Sequence, residues 1–183
     1  MENKKVISDL MKRYGTQILH LSYSYVRDRQ IAEDLTQEIF VKCYEKLHTF
    51  KGNSSIETWL YRIAINHCKD YLKSWQFRKV TATGYISSLF TSNEAPAERK
   101  YLIKEEQTEI RDAVFHLPVK YREIIFLYYF KEYSQKEISE ICKINLNTVK
   151  ARMARGKELL KKYLTERGVL NGEGFETDKK SNA

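Results

Sequence analysis

The sequence predicts an all-α protein of two small helical domains joined by a flexible linker, the second containing a helix-turn-helix. Three observations predict it. Glycine and proline are scarce, seven and two in 183 residues, and no convincing run alternates apolar and polar side chains as a half-buried strand does. Apolar residues recur at helical spacing through most of the chain. Two such stripes, Ile138-Ile141-Cys142 and Val149-Met153-Leu160, are separated by Lys143-Ile144-Asn145, which is room for a tight turn only.

In chain order, helices are expected near Val6–Val26, Arg29–Leu47 and Ser55–Trp75, making a first domain over residues 1–76. From Thr81 to Ala97 the character changes: Thr, Ser, Gly84, Asn93 and Pro96 interrupt any period, so residues 77–104 read as the linker. A second helical group runs from about Tyr101 to Leu164, giving a domain over 105–166. It is broken at Leu117-Pro118, because the residue before a proline disfavours the helical region. Ile124 to Phe130 forms the supporting helix of this domain, with Tyr128-Tyr129-Phe130 packed into its core in preference to forming a stacking surface. The polar, glycine-containing tail, 167–183, is expected to be disordered. There is no internal repeat.

A formal charge of +8 and a pI of about 9.2 suggest a polyanionic partner without identifying it. The N-terminus leads into an amphipathic pattern, not a secretory signal. The longest clean apolar run, Ile124 to Phe130, is far too short to cross a bilayer, so no membrane insertion is expected. Cys43, Cys68 and Cys142 are scattered and odd in number, with no CxxC pair, and read as reduced core thiols of a cytoplasmic protein. His67-Cys68 is not read as a metal site, since neighbours on a helix point about 100° apart. No metal or other cofactor is expected. With no acidic triad at metal-ligand spacing, nucleophile elbow or phosphate-binding glycine loop, the chain reads as a non-enzyme.

The second domain reads as a major-groove reader. Ser134-Gln135-Lys136-Glu137 is a capping box that starts the first helix of the motif, and Asn145 can cap the second. If Val149 is buried, steps of about 100° per residue turn Asn147, Ala151 and Arg155 outward, with Lys150 and Lys157 flanking them. Lys143 to Lys162 holds seven basic residues and one acid, Glu158. A solvated basic face near a helix C-terminus, favoured by the macrodipole, would show the same charge. The capped turn and the two apolar stripes favour DNA: Asn reads adenine edges, Arg or Lys reads guanine, and the remaining groups hold phosphates. Lys143 stands where many such turns carry glycine, so mild backbone strain is expected there.

The first domain carries two opposite faces. On Arg29–Leu47, residues Ala32, Leu35, Ile39, Phe40, Cys43 and Leu47 form the buried arc, while Asp34, Glu38, Val41 and Glu45 form an outer stripe flanked by Gln37. Like charges four apart disfavour a helix by a few tenths of a kcal/mol, roughly. A soluble helix face is the commoner origin of such a pattern, and the apolar Val41 within it leans toward a protein interface. On the next helix, opened by a capping box at Ser54-Ser55-Ile56-Glu57, the inner stripe is Ile56, Leu60, Ile63, Ala64, His67 and Tyr71. Arg62, Asn66, Lys69 and Lys73 stack on the outer face, with Trp59 at one edge and the polar loop Phe50–Ser54 before it. Basic groups beside an aromatic and a polar loop suit single-stranded DNA. Trp59 by itself is read more readily as a core residue than as a stacking platform.

Together these pieces resemble a bacterial sigma factor of the extracytoplasmic-function (group four) type, in the sigma-70 family. The resemblance rests on Ala32-Glu33-Asp34-Leu35-Thr36-Gln37-Glu38-Ile39-Phe40, on Phe50-Lys51-Gly52, and on Thr58 through Asn66. In the second half it rests on Leu117-Pro118, Tyr121-Arg122-Glu123, Ser134 with Glu137-Ile138, and Thr148-Val149-Lys150-Ala151-Arg152. It covers roughly residues 10–75 and 105–164. It implies that Asp34, Gln37, Glu38 and Val41 dock on the clamp coiled coil of core RNA polymerase. It implies that Lys51, Asn53, Ser54, Trp59, Arg62, Asn66, Lys69 and Lys73 face the −10 element, melting it and trapping a base of the non-template strand. Asn145, Asn147, Thr148, Lys150, Ala151, Arg152 and Arg155 would read the −35 element as duplex. Members of the family are commonly held inactive by an anti-sigma protein, often membrane-anchored. Ser139 and Lys143 depart from the small Ala and the turn Gly usual at these positions, which bears on −35 affinity and docking angle.

Two other classes compete. A free-standing helix-turn-helix regulator would bind a palindromic duplex without polymerase, and has no need of adjacent acidic and basic stripes. A protein that only sequesters a partner has no need of the positive charge beyond Lys143. A nuclease or recombinase lacks a catalytic cluster.

Overall fold

Two groups of helices pack against each other in the computed structural model, which describes the backbone of residues 2–83 and 105–169 and the side chains of residues 3–75 and 110–169. The first group is α1 (Glu2–Val26), α2 (Arg29–Lys46), a 3-10 turn (Leu47–Thr49) and α3 (Ile56–Thr83). The second is α4 (Glu105–His116), α5 (Val119–Ile125), a π-helical turn (Phe126–Phe130), α6 (Gln135–Cys142) and α7 (Leu146–Glu166). Among the described residues there is no strand.

Local chemistry accounts for most boundaries. α1 begins ahead of the expected Val6, because Glu2, Lys4 and Lys5 favour helix, and its buried stripe starts at Ile7. The chain reverses through Arg27, at φ 60°, and Asp28, whose side chain caps α2 by accepting from the Ile31 N–H at 2.9 Å. α4 stops at His116, before Leu117-Pro118. α3 runs through Thr83, so it covers residues 77–83 of the expected linker, because β-branched Val80, Thr81 and Thr83 disfavour a helix only weakly. The rest of the expected linker, the start of the second helical group at Tyr101, and the tail beyond 169 lie outside the described residues.

In the first group α1 contributes Ile7, Leu10, Tyr14, Ile18, Leu21 and Tyr25, and α2 contributes Ala32, Leu35, Ile39, Phe40 and Cys43, as its arc predicted. Leu47 is only half-buried, since the helix has already tightened to 3-10. Ser22 is fully buried between the three helices, in hydrogen-bond contact with Thr36 and Cys68.

In the second group α7 lies close over α5 at Gly156. A Cβ there would stand 3.0 Å from Ile125 Cγ1, so glycine permits an approach that any side chain would push apart. The buried apolar side chains of the two groups form one continuous cluster.

Candidate nucleic-acid interface

The helix-turn-helix forms as its local signals dictate. The Ser134 hydroxyl accepts from the Glu137 N–H while the Glu137 carboxylate accepts from the Ser134 N–H, and Asn145 Oδ1 accepts from the Thr148 N–H at 2.7 Å. Lys143 adopts the left-handed conformation at φ 53°, ψ 45°, the strain expected without glycine. Ser139 has a purpose here: its hydroxyl donates to the Ile144 carbonyl at 2.6 Å and ties the turn to α6. Ile138, Ile141, Cys142, Val149, Met153 and Leu160 are all buried.

This packing leaves Asn147, Lys150, Ala151 and Arg155 on one exposed face of α7, with Asn145 at its start. Thr148 and Arg152 are half-buried at its margins. The Arg155 guanidinium donates through Nη1 to Glu158 at 2.6 Å, which raises its pKa. Tyr129 and Phe130, expected in the core, are exposed at 48% and 53%. The π-helical turn rotates them away from the apolar side of α5, and Lys157 lies over the Tyr128 and Tyr129 rings instead.

On α2 the acidic face is open to solvent and touches the rest of the fold at its edge, through Glu38. Asp34, Gln37, Glu38, Val41 and Glu45 are exposed and, with Lys42, line a shallow groove. Val41 is 57% exposed. Glu38 meets His67 Nε2 of α3 at 2.6 Å across the edge of the groove.

The α3 face is different. Its cap is Ser55, one residue later than expected: the Ser55 hydroxyl accepts from the Thr58 N–H at 3.0 Å, and Glu57 turns away to accept from the Tyr133 hydroxyl at 2.5 Å. The buried side is also rotated. Leu60, Tyr61, Ala64, Ile65 and Cys68 are buried, whereas Ile56, Ile63, His67 and Tyr71 are half-buried, because α3 is packed on both sides. Lys51, Asn53, Asn66 and Lys73 are exposed, and Ser54 is half-buried. Trp59 is half-buried against Phe50, ring centres 5.6 Å apart, at the base of a loop whose Gly52 has φ 74°. Arg62 and Lys69 are engaged by the second helical group. Arg62 Nε donates to the Glu140 carbonyl at 2.9 Å, and Lys69 Nζ lies 2.9 Å from Glu123 Oε2.

Arg122 and Glu123 are buried, a placement that sequence reasoning missed. Glu123 accepts from the Tyr25 hydroxyl as well as from Lys69. Arg122 donates to the Ser24 carbonyl at 2.6 Å and to the Leu117 carbonyl at 2.9 Å, and burial pushes its pKa down to about 10. Burial, then Glu123, holds the Tyr25 phenol well above its ordinary range, and burial pushes the Cys68 thiol up to about 12. Among the described residues no cluster of His, Cys, Asp and Glu could hold a metal ion, and no helix is long and apolar enough to cross a membrane.

Comparison with known proteins covers both halves. Residues 10–77 match the family model described as Sigma-70 region 2, and residues 107–160 match Sigma-70, region 4. The ECF RNA polymerase sigma factor SigW of Bacillus subtilis is 32% identical over 90% of this chain and 91% of its own length. SigM of the same organism is 31% identical over 89% of this chain and 97% of its own. The sigma factor RpoE of Bartonella quintana, solved in complex with the anti-sigma factor NepR, shares the fold at a TM-score of 0.68 and 22% identity, over 88% of this chain and 98% of that one.

Proposed function

This chain belongs to the sigma-70 family of RNA polymerase sigma factors, in its extracytoplasmic-function group, and on that premise we propose a role for each face. Residues 1–76 act as region 2 and residues 105–166 as region 4, with 77–104 connecting them. The reading is carried by one observation above the rest. Behind a capped helix-turn-helix, α7 holds Asn147, Lys150, Ala151 and Arg155 on a single exposed face.

That face enters the major groove of the −35 element. Asn147 and Arg155 supply amide and guanidinium donors to base edges, Ala151 offers a small apolar contact, and Lys150 and Arg152 balance phosphates. The start of α7, with Asn145 and Thr148, sits against the backbone. The acidic groove of α2, Asp34, Gln37, Glu38 and Val41, docks on a basic and partly apolar surface of core polymerase. Lys51, Asn53 and Ser54 of the loop, with Trp59, Arg62, Asn66, Lys69 and Lys73, receive the −10 strand. The cations follow phosphates, while the loop and the Trp59 edge accept an unstacked base. Binding the single strand better than the duplex shifts the promoter toward the open state. The protein makes or breaks no covalent bond in this scheme; it works in the cytoplasm beside polymerase. An anti-sigma protein is a further partner, as it is for the Bartonella quintana relative.

The test is reconstituted run-off transcription with purified chain, bacterial core polymerase and pooled promoter fragments. Discrete transcripts that need both proteins are expected. Tight duplex binding by the chain alone, with no polymerase association, would establish a free-standing regulator instead.

A further inference from the structure

Glu38 stands midway along the acidic stripe of α2, with Asp34 one turn before it and Val41 and Glu45 after it. His67 stands on α3, and its Nε2 meets Glu38 Oε2 at 2.6 Å. The two side chains differ in their surroundings: the imidazole is 11% exposed, the carboxylate 60%. A ring seated in the fold thus holds a carboxylate that belongs to the surface.

The seat of the ring is destabilising by itself. Its Nδ1 is buried and has no hydrogen-bond partner among the described residues. A buried polar atom left unpaired disfavours the folded state, and an apolar side chain of similar size would avoid that penalty. The contact with Glu38 is what imidazole supplies and leucine would not. The unpaired nitrogen also assigns the proton. A hydrogen on Nδ1 would be a buried donor without an acceptor, so the proton is assigned to Nε2, which donates it to the carboxylate. A ring carrying one proton adds no charge, and the groove stays acidic.

A glutamate on an exposed helix face samples many rotamers, and a like charge one turn away pushes it further from any single one. Asp34 is that neighbour, and neither Asp34 nor Glu45 has an anchor of its own among the described residues. A carboxylate that is already fixed loses less freedom when a cation of the partner meets it, and the association is tighter for that reason.

We infer that His67 is a positioning residue for polymerase docking: its Nε2–H fixes the Glu38 carboxylate at the edge of the α2 groove before a basic partner surface arrives. The inference rests on the docking reading of α2. His67 acts through Glu38, so its effect on binding disappears when Glu38 is removed.

The full chain tests it by fluorescence anisotropy, with labelled protein titrated with purified bacterial core polymerase. His67→Leu is expected to weaken binding about fivefold, the scale of ordering one flexible side chain. His67→Gln should bind as the wild type does, because a glutamine amide nitrogen reaches the position of Nε2. His67→Asn, whose amide reaches only as far as Nδ1, should bind as weakly as His67→Leu. In a Glu38→Ala background, His67→Leu should change affinity no further. The Gln and Asn variants carry the test alone if circular dichroism shows His67→Leu misfolded. Equal affinities for the Gln and Asn variants, or an undiminished effect of His67 substitution without Glu38, overturn the positioning role and leave His67 a packing residue. Glu38→Ala at wild-type affinity overturns the docking reading of α2, and the inference with it. Weakened binding by Glu38→Ala, with every His67 variant at wild-type affinity, overturns the positioning role alone.

Discussion

α2 and α3 are neighbours that each present a stripe of like charge, yet the second half of the chain engages only the stripe on α3. The acidic residues of α2 look outward over a shallow groove. On α3, Arg62 and Lys69 reach across to α6 and α5, while Asn66 and Lys73 remain exposed. Both helices show an outer charged face by periodicity. The difference comes from what packs on them from elsewhere in the chain, and it separates a surface open to solvent from one partly engaged by the second helical group.

Charge reversal should break this symmetry most strongly. Lys69→Glu sets a second carboxylate against buried Glu123 and should cost about 3–5 kcal/mol in urea unfolding, the usual range for breaking a buried pair. Asp34→Lys, on an exposed face, should stay within about 0.5 kcal/mol of wild type. Equal losses would mean that the two stripes are equally exposed in solution.

Alkaline pH sharpens the contrast next. Burial raises Cys43 and Cys68 to about 12 and pushes Cys142 up as well, while Tyr25 and Tyr133, at the seam between the two helical groups, are also raised, by burial and by their carboxylate partners. Folded values above unfolded ones mean stability that is complete below about pH 9 and lost as pH climbs through the folded values. By pH 10 the three thiols alone should remove about 4 kcal/mol, read as a falling Tm. The seam tyrosines should ionise, by ultraviolet difference absorbance, only as the structure gives way. The outer face of α2 carries none of these groups. Early titration of all thirteen tyrosines as one class would contradict the buried seam.

Polymerase affinity probes α2 itself. Asp34→Lys should weaken core polymerase binding about tenfold, near 1.4 kcal/mol, chiefly by opposing encounter of complementary surfaces. Unchanged affinity would remove α2 from the docking surface. Glu38 also holds His67, so Glu38→Gln is the gentler companion to test. The smallest effect belongs to a site far from either stripe. Lys143→Gly relieves a left-handed backbone and should raise stability by about 1 kcal/mol, with promoter preference unchanged. A loss of stability would mean that the Ser139 tie already absorbs the strain.

Short-range signals in the sequence were reliable where the partners are neighbours. The box at Ser134, the cap at Asn145, the strain at Lys143 and the break at Leu117-Pro118 involve atoms within a few residues, so local chemistry decides them. The expected box at Ser54 failed for the opposite reason. Tyr133, distant in sequence, draws Glu57 away from α3's own backbone, and Ser55 caps the helix instead. Tyr129 and Phe130 read as core because their hydropathy is high, but a π-helical turn aims them at solvent.

The amino-acid sequence by itself determined the helices, the capped helix-turn-helix and the opposite charges of α2 and α3, because periodicity and capping act over one or two turns. Only the tertiary structure decided which of those charges are free. Arg122 and Glu123 look like surface residues in any local window, and they are buried because Ser24, Tyr25 and Lys69 meet them from the other half of the chain. Burial of a charge depends on distant donors that satisfy it, and no local pattern specifies where those donors come to rest.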